Sequence, residues 1–269
     1  MRNLWKNLPA WLRAILLNLV LLFPVVTLIQ VVIALNFEYL PTFGWGLLLV
    51  VPLLAGYWKL VNKWNPFRAE GDIRLTLQFD WTHPGNGLKI LGLCLFTVSS
   101  VTLFMFFTPV EDSLQMQFIN SFKALSPITA IPLLLALALS AGIAEEVTYR
   151  GFVQNTLQRR YVRLLSYGLV GVLFASAHVL PLPLIAPYVL VSIAFSIVAD
   201  QLRATGVVIF AHALVDFLLF LNIYYDVWDF AALTSVNVVI TLVMFFVGAF
   251  LVLRKFGTSA DTKLKLGLQ

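Results

Sequence analysis

Charged side chains are scarce in this chain of 269 residues: Asp, Glu, Lys and Arg together make up 12%, whereas hydrophobic residues make up 60%. The mean hydropathy is +0.91. A water-soluble domain of this length needs far more polar surface, so this composition excludes a soluble globular protein. Cysteine is almost absent as well, and the single Cys94 excludes an intramolecular disulfide.

Long apolar runs dominate what is present. They are Leu12–Leu35, Phe43–Val61, Leu88–Pro109, Ile128–Val147, Leu164–Leu180, Leu184–Ala199, Val207–Leu221 and Ala231–Leu253. Each is close to the length that a helix needs to cross roughly 30 Å of hydrocarbon. We therefore predict an all-α fold, a polytopic bundle of about eight transmembrane helices in which residues 1–269 form a single membrane domain and contact the lipid bilayer.

The basic residues predict an orientation for this bundle. If the N-terminus lies inside, Lys123 is the one basic residue of the outer loops, and the other 17 of the 18 Lys and Arg lie in inner segments. Short cytoplasmic loops are enriched in Lys and Arg, so we expect both termini in the cytoplasm. The pI of about 9.4 then reflects the loops of a membrane protein, and no nucleic-acid partner is expected. The expected location is a bacterial plasma membrane.

A few ionisable side chains lie where lipid would make them costly. An Asp at the centre of a span costs roughly 2.5–3.5 kcal/mol on insertion scales, and such residues are candidates for function. His83 lies in a loop with Pro and Gly and is interpreted as a surface residue. The residues in or near predicted spans are Glu145, Glu146, His178, His212 and Asp216.

The first polar cluster lies at the end of the fourth run. Glu146 and Arg150 are four residues apart, so on a helix they share a face and can pair. Glu145 points about 100° away and has no obvious partner within its own helix, so it could act as a base. The alternative is an ion pair at the membrane interface, with Glu145 reaching the cytoplasm.

Two further clusters follow on separate runs. Phe174 and His178 share one helix face, and His212 shares a face with Asp216. His178 lies 33 residues after Glu145, with basic residues near the midpoint. An antiparallel hairpin of two helices would therefore bring Glu145 and His178 to a similar depth, each about 24 Å from the turn. A packing histidine and a satisfied His–Asp pair are the alternatives.

A carboxylate and a histidine that converge on water suit general-base hydrolysis, and nearby His and Asx side chains could stabilise an oxyanion. The same set could instead hold zinc, with Glu145, His178 and His212 as ligands and an open position for water. The sequence lacks His-Glu-x-x-His, Gly-x-Ser-x-Gly and a P-loop, so no standard zinc helix, serine nucleophile or nucleotide site is indicated.

Taken in order, Glu-Glu-x-x-x-Arg (145–150), Phe-x-x-x-His (174–178) and His-x-x-x-Asx (212–216) resemble the CPBP family. That family includes the type II CAAX prenyl endopeptidases, the Abi-type proteins and the bacteriocin-processing and self-immunity proteins. The resemblance covers about a third of the chain and makes residues 128–220 the expected catalytic core. It implies an intramembrane endopeptidase, open to the cytoplasmic side, whose substrate is a membrane-embedded or lipid-tethered peptide.

The resemblance also implies roles for the site residues. Glu145 and His178 would activate the attacking water, and His212 and Asp216 would bind the oxyanion. Supporting residues would be Glu146, Arg150 and Phe174. Family members have been described both as metalloproteases and as metal-independent glutamic proteases, so the cofactor stays open, with zinc as one option.

Position 216 departs from the prenyl endopeptidases, which carry Asn there. An ionised Asp cannot donate a hydrogen bond to an oxyanion, so Asp216 would need to be protonated, orient His212 or help to hold a metal. The alternative functions are a non-proteolytic scaffold or bacteriocin self-immunity protein of the same family and, last, an ion-coupled transporter. Transporters commonly show internal repeats, and none is visible here.

Overall fold

The computed structural model describes residues 7–63, 84–106, 114–178, 182–229 and 234–255, together with Trp5 and Ala232. Helices account for the regular structure of these residues, and none of them lies in a strand. The predicted all-α class is therefore confirmed. His83 and most of the connection after the second apolar run lie outside the described residues.

Each of the eight apolar runs coincides with a helix, and one short helix, α4, is added between the third and fourth runs. The helices are α1 (Ala10–Tyr39), α2 (Gly46–Lys63), α3 (Pro84–Met105), α4 (Leu114–Ser121), α5 (Pro127–Gln158), α6 (Arg163–Ser176), α7 (Leu182–Leu202), α8 (Gly206–Tyr225) and α9 (Ser235–Leu253).

The lengths of these helices modify the predicted number of spans. Six are long and apolar enough to cross a membrane, namely α1, α3, α5, α7, α8 and α9. The apolar parts of α2 and α6 are shorter, and α6 with 14 residues covers only about 21 Å. Among the described residues, six spans are thus supported by length and composition, and the predicted number of about eight is not confirmed. The orientation of the termini stays a prediction.

The long helix α5 changes its winding where the first polar cluster lies. Its segments Ala141–Glu145 and Val147–Val153 are π-helical and flank Glu146. Such turns add a residue to the helical repeat and often occur at functional sites. They turn the side chains of the Glu-Glu-x-x-x-Arg motif relative to the apolar first half of α5.

A close crossing of α5 and α8 places two motifs side by side. A Cβ atom at Gly142 would lie 2.8 Å from both the carbonyl oxygen of Ile209 and the Cβ of Ala213. Small residues permit such an approach between membrane helices. Gly142 precedes Glu145 by one turn and Ala213 follows His212, so the crossing brings the first and third motifs together.

The two helices of the second hairpin, α6 and α7, are tied near the start of α6. The hydroxyl of Tyr167 donates to Asp200 Oδ2 at 2.7 Å, and the same oxygen lies 3.4 Å from Nε of Arg163. The predicted run ended at Ala199, whereas α7 continues to Leu202, so Asp200 is a further acidic residue within a helix. These contacts help to hold α6 in place, and His178 follows the other end of this helix.

Candidate active site

Four polar side chains from α5, α8 and the turn after α6 come together inside the bundle. Oε2 of Glu145 lies 3.8 Å from Nε2 of His178 and 4.0 Å from Nε2 of His212. Nε2 of His212 lies 3.4 Å from Oδ2 of Asp216. The structure therefore brings together all four residues that the sequence singled out as catalytic, at distances that one small molecule could bridge.

Glu146 joins two of the motifs. Its Oε1 accepts a hydrogen bond from Nη1 of Arg150 at 2.8 Å, as the spacing predicts, and lies 2.7 Å from Nδ1 of His212. Nη2 of Arg150 donates to the carbonyl oxygen and to the hydroxyl of Ser192 on α7, at 2.8 and 2.9 Å. Glu146 and Arg150 are buried, so this network connects α5, α7 and α8 inside the protein.

The hydrogen bonds of the two histidines assign their tautomers. Nδ1 of His178 lies 2.8 Å from the carbonyl oxygen of Phe174, which can only accept, so Nδ1 carries the hydrogen. In the neutral ring, Nε2 then presents a lone pair toward Glu145. By the same argument Nδ1 of His212 donates to the Glu146 carboxylate.

Aromatic rings hold these groups in place. The ring of Phe174 lies 4.7 Å from that of His178 and 6.0 Å from that of His212. The guanidinium carbon of Arg150 lies 5.2 Å from the Phe174 centroid, on the distance scale of cation–π contacts. Phe195 on α7 packs edge-on against His212 at 5.5 Å. Phe174 thus contacts both histidines and the buried cation.

Two carboxylate oxygens are buried without a hydrogen-bond partner in the described part of the chain, Oε2 of Glu145 and Oε2 of Glu146. Buried polar atoms nearly always have partners, so these atoms call for a functional explanation. The Glu145 oxygen faces His178 across 3.8 Å, which is too long for a direct hydrogen bond. A separation of this kind suits a bridging water.

A cavity of about 570 Å³ adjoins this cluster. Its walls include Glu146, His178, His212 and Asp216 at one end and reach Asp226 beyond the end of α8. Between these ends the lining is largely apolar and comes from α3, α4, α7 and α8. The polar cluster therefore lies beside a space that a substrate segment can occupy.

The part of the chain that contains this cluster is similar to a known protein family. Residues 127–218 match the family model described as Type II CAAX prenyl endopeptidase Rce1-like. Over these residues, about a third of its length, the chain is similar to this protease family. The match contains all three motifs, and the predicted resemblance to the CPBP family is confirmed. No curated protein and no solved structure matched the chain.

The chain is thus an integral, multi-pass membrane protein, and residues 127–218 are a domain similar to the CAAX-type proteases. In this domain α5 supplies Glu145 and Glu146, the turn just after α6 supplies His178, and α8 supplies His212 and Asp216. The role of each residue in a reaction stays a prediction from the motifs.

The predicted zinc ligands of the CAAX-type domain do not form a metal site as they stand. Zinc ligands about 2.0–2.1 Å from the metal in a tetrahedron lie about 3.4 Å from one another. Glu145 Oε2 is 3.8 and 4.0 Å from the nitrogens of His178 and His212. Within the described ranges, no three His, Cys, Asp or Glu side chains are arranged to hold a metal ion.

Sequence reasoning missed the part of the CAAX-type domain that α7 contributes. Arg150 and Gln154 on α5 bond to Ser192 and Ser196 on α7, the second pair through Nε2 of Gln154 and the Ser196 carbonyl at 3.1 Å. Arg150 and Gln154 are four residues apart on α5, and Ser192 and Ser196 are four residues apart on α7, so each helix contributes side chains one turn apart. Two serines four residues apart in an apolar run are the signal that indicates this contact.

Proposed function

We propose that the protein is an intramembrane endopeptidase that hydrolyses a peptide bond of a membrane-embedded or lipid-tethered substrate, with residues 128–220 as its catalytic core. One observation carries the proposal. Glu145 holds a buried carboxylate oxygen without a hydrogen-bond partner in the described residues, 3.8 Å from Nε2 of His178, and His178 lines the substrate-sized cavity. Glu146, by contrast, is paired through its Oε1 with Arg150 and His212.

In the proposed reaction a water molecule bridges Oε2 of Glu145 and Nε2 of His178. Both atoms are acceptors, so the water donates one hydrogen to each and turns a lone pair toward the substrate carbonyl carbon. The water oxygen bonds to that carbon while Glu145 takes the proton. Collapse of the tetrahedral intermediate breaks the C–N bond, and the proton passes from Glu145 to the leaving amine.

The intermediate places negative charge on the former carbonyl oxygen. His212 is the proposed donor to this oxyanion, through Nε2. Nδ1 of His212 already donates to Glu146, so donation from Nε2 requires a hydrogen on both nitrogens. Asp216 lies 3.4 Å from Nε2, and in its ionised form it accepts this N–H before the reaction and so orients the ring. The N–H then turns to the oxyanion, which the Asp216 carboxylate itself cannot bind.

The test is cleavage of a membrane-anchored reporter peptide by purified protein in vesicles. We expect Glu145→Gln and His178→Ala each to lower the cleavage rate by at least about 100-fold, the lower end of the contribution of a positioned general base. Glu38→Gln changes an exposed carboxylate outside the site and should cleave like the unmodified protein. Normal cleavage by both site variants would exclude the proposed roles.

The non-proteolytic alternative gives a different result in the same assay. A scaffold or self-immunity protein would cleave no peptide in a broad membrane-anchored library. Its partner contacts would then survive Glu145→Gln.

A further inference from the structure

The cavity beside the site is closed at one end and exposed at the other. At the site end, Glu146, Phe195 and His212 are all buried. At the far end Trp228 is 45% exposed and the side chain of Asp226 is 75% exposed. Both lie beyond the C-terminal end of α8. The described part of the cavity therefore opens there.

Polar contacts between α5 and α7 close the opposite end. The hydroxyl of Tyr224, near the end of α8, donates to the carbonyl oxygen of Leu125 at 2.8 Å, so α5 begins beside the end of α8. Later residues of α5 therefore lie progressively farther from the opening. Arg150 and Gln154 are among them, and both are bonded to α7 and buried.

The length of the cavity defines what can fill it. Asp216 and Asp226 are ten residues apart, which corresponds to about 15 Å along a helix. An extended peptide covers about 3.3 Å per residue, so four or five residues span this distance. The walls between the two ends include Val98, Val101 and Leu219, all apolar. The volume of about 570 Å³ suits a short segment and not a folded domain.

We infer that the substrate enters through the open end beyond α8 as an extended, largely apolar segment, with four or five residues between this opening and the bond that is cut. This inference rests on the proposed endopeptidase function and specifies the route and form of its substrate. If α8 has its predicted orientation, the opening faces away from the cytoplasm, opposite to the side that the family resemblance implies.

Single-cysteine labelling tests this route. Because Cys94 is the only cysteine, Cys94→Ala provides a cysteine-free background, with Cys94→Ser as a second one. Leu219→Cys reports on the cavity wall, and its neighbour Leu218→Cys, 52% exposed on the outer surface of α8, is the matched control. Val227→Cys marks the side of the opening, and Val162→Cys marks the side of the turn between α5 and α6.

A membrane-impermeant maleimide is added to one side of sealed vesicles, and the two markers identify that side. We expect Leu219→Cys to react only from the side on which Val227→Cys reacts, and labelled Leu219→Cys to lose most of its cleavage relative to the same variant unlabelled. Excess reporter peptide should slow this labelling. Leu218→Cys faces lipid, where thiolate forms poorly, so it should stay unlabelled.

Labelling of Leu219→Cys only from the side of Val162→Cys would overturn the inference, as would no labelling while Val227→Cys reacts. Full cleavage by labelled Leu219→Cys would also overturn it. Failure of the endopeptidase proposal is recognised separately, because the unmodified protein would then cleave no reporter. The labelling pattern would still report which end of the cavity is open.

Discussion

Nδ1 of His212 lies 2.7 Å from Oε1 of Glu146, although the two residues are 66 positions apart and belong to different helices. The same oxygen accepts a hydrogen bond from Arg150 at 2.8 Å. Glu146 therefore does more than neutralise a cation within its own helix. It holds the ring of His212, whose other nitrogen faces Glu145 and Asp216, and we therefore propose Glu146 as a positioning residue for the site.

This relationship predicts a combined effect of Glu146→Gln on stability and cleavage. The amide cannot compensate the buried charge of Arg150, and removing one partner of a buried ion pair typically costs about 3–5 kcal/mol. We expect a lower thermal unfolding temperature in detergent and a lower cleavage rate. The double variant Glu146→Gln with Arg150→Met should regain stability but not cleavage. Unchanged stability with lost cleavage would instead make Glu146 the base.

Two substitutions at Asp216 distinguish whether this residue orients His212 as a hydrogen-bond acceptor or is needed for its negative charge. If it orients His212, Asp216→Asn should keep most of the cleavage rate, because the amide oxygen still accepts from Nε2 and the amide N–H can also donate to the oxyanion. Asp216→Leu is similar in size but has no acceptor, and it should lower the rate by about 10- to 100-fold. Steady-state cleavage measures both variants. Equal losses in the two variants would show that the negative charge itself is required.

The helices and the site contacts that depend on spacing along the chain could be predicted from the sequence. Apolar runs of membrane length must satisfy their backbone internally, so each forms a helix. Spacing within a helix predicts the Glu146–Arg150 pair, and the short basic turn predicts that Glu145 meets His178. The contacts of His212 with Glu146 and of Arg150 with Ser192 depend on how helices rotate and cross. Spacing along the chain contains no information about that.

Metal removal is expected to leave cleavage intact. Glu145 Oε2 and the two histidine nitrogens are farther apart than the ligands of one zinc ion, and the proposed step uses only the carboxylate and His178. Cleavage after dialysis against a chelator should therefore equal cleavage before it, and metal analysis should find far less than one zinc per chain. Stoichiometric zinc that is lost together with cleavage would rule out the purely glutamic mechanism.

The crossing of α5 and α8 predicts that Gly142 tolerates no side chain. Alanine there would place its Cβ 2.8 Å from the Ile209 carbonyl oxygen and 2.9 Å from the backbone nitrogen of Ala213, so a backbone must move. We expect Gly142→Ala to cost about 1–3 kcal/mol, as overpacking does, and to lower the cleavage rate by separating Glu145 from His212. Thermal unfolding and reporter cleavage measure the two effects.

Gly151 provides the matched control in the same helix. A Cβ at this position would meet no atom within 4 Å, and alanine has the higher helix propensity, so Gly151→Ala should be neutral or stabilise by up to about 1 kcal/mol. Its cleavage rate should be unchanged because no site residue moves. Equal behaviour of the two alanine variants would mean that the close approach at Gly142 does not set the distance between the first and third motifs.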